Sequence, residues 1–110
     1  MAYDDDLADR IRAVVGGERG LSEKRMFGGL AFLVDGHMAV AASGQGGMLL
    51  RCDPADTERL EQYEDVERFV MRGKPMTGWL HVQPGAVTED DDLREWIAHG
   101  VRYARSLDPA

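Results

Sequence analysis

With 110 residues, 12.2 kDa, 44% hydrophobic and 30% charged residues, the chain reads as a single domain (1–110) with one core, well away from compositions that stay disordered. Thirteen Lys and Arg against twenty Asp and Glu leave a net charge of −7, which repels a phosphate backbone and argues against direct nucleic-acid binding by this domain alone. No basic or apolar leader opens the sequence, no apolar run reaches the ~20 residues of a membrane span, and the single Cys52 allows no internal disulfide. A cytoplasmic, reducing setting without membrane contact is therefore expected.

In chain order, Leu7, Ala8, Ile11, Val14 and Val15 recur at three- and four-residue spacing and predict a helix over 4–15 with one buried stripe, stopped by Gly16-Gly17. Asp4, Asp5 and Asp6 fall in its first turn, where carboxylates meet the positive end of the helix dipole, and Asp6 is placed to pair with Arg10. Residues 22–25 lead into a hairpin whose strands are 30–34 and 37–42. Its turn, Asp35-Gly36, tolerates positive φ at both centres of a type I′ turn. A third strand, 48–52, follows the flexible run 43–47. Asp53 then offers an N-cap with Pro54 at the first helical position of a short helix reaching about Gln62.

Residues 66–71 and 77–82 read as two further strands joined by Arg72-Gly73-Lys74-Pro75-Met76, with Pro84-Gly85 turning the chain out of the second. Thr88 is the expected cap of the last helix, whose stripe is Leu93, Trp96, Ile97, Gly100, Val101, Ala104 and Leu107. Glu89 to Asp92 crowd its start and Arg102 and Arg105 its end. The order αβββαββα, with short connections, predicts an α+β two-layer sandwich: a roughly five-stranded, mainly antiparallel sheet with helices on one face. The other face is expected to be partly exposed or used for association. An uncovered face or an edge strand would pair two copies, and a homodimer is favoured.

Met26-Phe27-Gly28-Gly29, the Val34-Asp35-Gly36 turn with Met38-Ala39, Gly73-Lys74-Pro75-Met76 and Gly78-Trp79 together resemble the N-terminal domain of the TfoX/Sxy family of competence regulators. The likeness runs nearly the full length of the chain. It implies an α/β sandwich and a regulatory or partner-binding role, and it supplies no catalytic residue. Regulators of natural transformation in this family carry a second, C-terminal domain, which would begin about where this chain ends at Ala110. What the resemblance implies is thus the module rather than the whole regulator.

The side chains that could carry chemistry each have a structural reading. Met26-Phe27-Gly28-Gly29, flanked by Lys24 and Arg25, could cradle a phosphate, but its glycines run into a strand rather than a Gly-Lys-Ser/Thr frame before a helix, so a bulge or tight bend is expected. His37, His81 and His99 have no metal-ligand spacing and Cys52 has no second cysteine beside it, so no metal site and no cofactor are expected. Neither Cys52 nor Ser43 sits in a triad or elbow motif, and Cys52 reads as a buried strand-end residue. Glu89-Asp90-Asp91-Asp92 lacks the alternating ligands of a calcium loop and reads as capping. No catalytic residue is assigned, and the chain does not read as an enzyme.

Positive charge concentrates only at residues 68–79, where Arg68, Arg72 and Lys74 lie near Met76 and Trp79 with no acidic residue between. Arg and Trp anchor many interfaces, the first through bidentate bonds and the second through rigid area. The first expectation is a noncatalytic regulatory or adaptor domain that recognises an unidentified protein partner through this segment. The structural alternative for Trp79 puts it in the core under the last helix. The competing functional class is a binder of a small anionic molecule, or an enzyme, with Arg25, Arg72 or Lys74 fixing the ligand and Met26, Phe27 and Trp79 as walls.

Overall fold

The computed structural model describes residues 3–26 and 28–109; Phe27 lies outside them. Helix α1 (Asp5–Val15) is capped by Asp4, whose carboxylate accepts from the Leu7 amide at 3.2 Å. It is followed by β1 (Leu21–Met26), β2 (Gly29–Val34), β3 (His37–Ala42) and β4 (Met48–Arg51). A 3-10 turn (Pro54–Asp56) runs into the short α2 (Thr57–Leu60), and Asp53 caps it by accepting from the Ala55 amide at 2.9 Å, as the Asp-Pro pair predicts. Then come β5 (Val66–Met71), β6 (Lys74–Val82), a 3-10 turn (Pro84–Val87) and α3 (Asp90–Ser106).

The strands form one antiparallel sheet in the order β1-β2-β3-β4-β6-β5, six strands where five were expected. The extra strand is β1. Its sequence, Leu-Ser-Glu-Lys-Arg-Met, has no apolar alternation because it is an edge, and charged side chains there leave the outer backbone groups hydrated rather than open to another chain. Met26 pairs with Gly29, and a methyl on Gly29 would fall 2.0 Å from the Ala42 carbonyl oxygen. Close strand approach, not phosphate binding, accounts for that glycine. The Asp35-Gly36 turn has φ of 53° and 86°, the type I′ geometry its sequence predicts.

Helices α1 and α3 cover one face. Leu7, Ile11 and Val15 from α1, and Leu93, Trp96, Ile97 and Ala104 from α3, close over Phe32, Val34, Val40, Met48, Leu50, Leu80 and Val82. The opposite face is less bare than the sequence suggests. Ala31, Met38, Ala41 and Leu49 are buried there, flanked by Met26, Leu33, Phe69 and Trp79. Two expected local contacts are replaced by others. Arg10 bonds Asp90 at 3.1 Å and the Thr88 carbonyl at 3.2 Å instead of Asp6, and so ties α1 to the start of α3. Thr88 turns its hydroxyl back to the Pro84 and Gly85 carbonyls, leaving Glu89 at the N-cap position without a side-chain cap bond. No helix among the described residues is long and apolar enough to cross a membrane.

Candidate functional site

The cationic segment forms the far end of the β5–β6 hairpin. Arg72 and Gly73 are its whole turn, with φ of 53° and 79°, so β6 begins at Lys74 rather than Thr77. Strand β4 ends at Arg51, opposite Trp79, so residues 74–77 run on past its edge, an overhang of roughly 13 Å at ~3.3 Å per residue. Arg72, Lys74 and Pro75 are exposed on it, Met71 and Met76 are half-buried, and Val70 is 54% exposed. The register shift between Arg68 and Val70 marks where this end departs from the regular ladder.

Arg68 is committed elsewhere. Its guanidinium donates to both Glu61 carboxylate oxygens at 2.9 and 3.0 Å and to Thr77 Oγ1 at 3.2 Å, fastening the hairpin base to the end of α2. Trp79 is not under the last helix; it packs half-buried on the opposite face of the sheet. At the end of β4 the Arg51 guanidinium lies 5.2 Å from the Trp79 ring centroid and 5.3 Å from that of Tyr103 on α3. Arg51 and Tyr103 adjoin this candidate surface and are not grouped with it by the sequence, since only the β4–β6 pairing sets Arg51 opposite Trp79.

Arg25 and Met26 sit elsewhere. Arg25 pairs with Leu30, which is level with Ala42, Met48 and Val82, so it stands at the other sheet edge and at the opposite end from the Arg72 turn. Met26 reaches the same apolar cluster as Trp79, but the register keeps Arg72 away from it. The ligand-wall role considered for Phe27 lies outside the described residues.

The reactive side chains have structural partners. Ser43 Oγ accepts from the Gln45 amide at 3.1 Å and closes the glycine loop, and His81 Nε2 donates to the Gly46 carbonyl at 2.7 Å. Cys52, 1% exposed, lines a cavity of about 130 Å³ with Asp53, His99 and Tyr103. Burial pushes its thiol up, while burial and the nearby Arg102 and Arg59 guanidinium groups push the His99 imidazole down. A thiolate–imidazolium pair needs both shifts reversed.

The His99 shift has a testable consequence. A folded-state pKa below the ordinary value near 6.5 means that the unfolded chain binds more protons as pH falls through that value, so this contribution is lost on acidification and restored above it. Denaturant titrations at pH 5.5 and 7.5 should show the wild type weaker at the lower pH. His99→Gln should reduce the difference.

The family model for the TfoX N-terminal domain matches residues 15–104, a stretch that holds the whole sheet and nearly all of α3. The chain belongs to the TfoX N-terminal domain family. No curated protein and no solved structure matches it. In this TfoX N-terminal domain, Met26 and Gly29 pair where β1 meets β2, Asp35-Gly36 joins β2 to β3, and Gly73 to Trp79 run from the hairpin turn through the overhang to the end of β4. The motifs that carried the resemblance therefore occupy turns and the irregular part of the sheet rather than a shared pocket.

Proposed function

We propose that this TfoX N-terminal domain is a noncatalytic regulatory or adaptor module that works through protein contacts, with the β5–β6 overhang as its recognition surface. The observation that carries the reading is the continuation of β6 past the end of β4. That extension places Arg72, Lys74 and the apolar Val70 and Met76 on a projecting ribbon, while Arg68 and Glu61 hold its base. A projecting ribbon with cations over apolar side chains suits an acidic partner segment, the more so on a domain whose overall charge of −7 repels anions elsewhere. The same charge favours a protein over DNA as the direct partner, and salt-dependent affinity for DNA alone should be negligible.

Arg72 offers a clean test because it is a non-glycine residue at positive φ. Asn is preferred there in a type I′ turn, so Arg72→Asn removes the charge while making the turn equally or more stable, by up to about 1 kcal/mol. Affinity capture from cytoplasm, comparing wild type with Arg72→Asn and with Lys74→Glu, should show one protein lost selectively with both variants. Undiminished capture by the folded variants would reject this surface.

A further inference from the structure

The sheet face turned away from the helices carries opposite charges at its two edges. The register sets one residue of every strand level: Lys24 on β1, Ala31 on β2, Ala41 on β3, Leu49 on β4, His81 on β6 and Glu67 on β5. Residues directly opposite one another point to the same side of a sheet, and Ala31, Ala41 and Leu49 belong to the apolar cluster that no helix residue enters. The whole row therefore lies on that face. It spans five strand spacings, roughly 24 Å at ~4.8 Å each.

Both ends of the row are exposed, and neither Lys24 nor Glu67 is ion-paired among the described residues. Glu67 accepts a long bond from the Gln83 side-chain amide at 3.5 Å. Between these ends the row is small on one half, Ala31 and Ala41, and large on the other, Leu49 and His81. Charge and size thus both change over across the boundary between β3 and β4, which is the middle of the six-stranded order.

We propose that this face is the interface of a twofold dimer of the chain, with the axis running along the strands between β3 and β4. That axis lays Lys24 of each copy over Glu67 of the other, Ala31 over His81, and Ala41 over Leu49, so every small residue meets a large one. An axis across the strands fails on charge, because it lays Lys24 on Lys24 and Glu67 on Glu67. Sheet shape allows the pairing: a twisted sheet is a saddle, and a half-turn about its central strand direction carries the saddle onto itself. The two faces then stay parallel out to the edges, where the charges sit. A uniformly acidic or basic partner would satisfy one end of the row and be repelled at the other, whereas a second copy satisfies both. The same axis leaves both β5–β6 overhangs at one end of the dimer.

The test is sedimentation equilibrium of the full chain and of Lys24→Glu, Glu67→Lys and the double reversal. A face of this size makes a small interface, so concentrations of about 5 to 500 µM are used, in about 0.15 M salt to screen the net charge of −7 on each copy. The wild type should dimerise within this range. Each single reversal places like charges together at both ends of the interface and should raise the dissociation constant at least about tenfold, with the fold intact because both positions are exposed. The double reversal restores both attractions and should return the constant to within about threefold of wild type. An equimolar mixture of the two single variants should likewise dimerise where neither does alone. A wild type that stays monomeric throughout, single variants that associate as the wild type does, or a double reversal as weak as the singles overturns the proposal.

Discussion

Replacing Gly100 with valine should lower the unfolding free energy by about 3 kcal/mol, a large share of what a domain of this size possesses. A Cβ at this position would lie 2.3 Å from the Ala39 carbonyl oxygen and 3.0 Å from a Leu50 methyl. Gly100 is therefore where α3 comes closest to the centre of the sheet, and the obstructing atom is strand backbone that cannot turn aside. Valine forces the helix outward and opens the contacts that Ile97 and Ala104 make on either side. Alanine should lose less, because it gains about 1 kcal/mol of helix propensity against a smaller clash. Guanidinium unfolding of the two variants measures the difference, and a valine variant within about 1 kcal/mol of wild type would mean that the helix does not sit this close.

Thr57→Val should cost about 2 kcal/mol although it preserves shape and volume. The Thr57 hydroxyl, 1% exposed, accepts from the Gly78 amide at 2.8 Å and lies 3.7 Å from the Cys52 sulfur. Valine leaves that amide buried without a partner at the residue where β6, with Gly78 at φ 89°, bends into Trp79 and the overhang. Thr57→Ser keeps the acceptor and loses only a methyl, so it should cost under about 1 kcal/mol. The pair also probes function. If the overhang recognises a partner, the folded valine variant should capture less of it than the serine variant, since only valine releases the strand that positions Trp79. Equal stability of the two variants would remove Thr57 as the anchor of that strand.

Local features were legible in the sequence because their causes lie within a few residues. Asp35-Gly36 makes a type I′ turn whatever it is joined to, Asp53-Pro54 starts a helical turn, and Leu93, Trp96, Ile97, Gly100 and Ala104 form a stripe through 3.6-residue periodicity alone. Strand β1 was not legible as a strand, since its pairing comes from the open edge of β2 and not from its own polar side chains. Arg10 took distant partners once α1 and the start of α3 were brought together.

The candidate sites divide in the same way. Arg72, Lys74, Met76 and Trp79 could be grouped from sequence because they share one hairpin. The commitment of Arg68 to Glu61, the position of Arg51 against Trp79, and the separation of Arg25 from Arg72 all depend on strand order. The sequence by itself determined the domain class, the helix stripes, the tight turns and the family, because backbone preference and hydrophobic period act locally. Only the tertiary structure decided that β6 inserts between β4 and β5, and with it the overhang and the face on which Trp79 lies: pairing energy is nearly the same for any two matched strands, and packing under α3 selects among them.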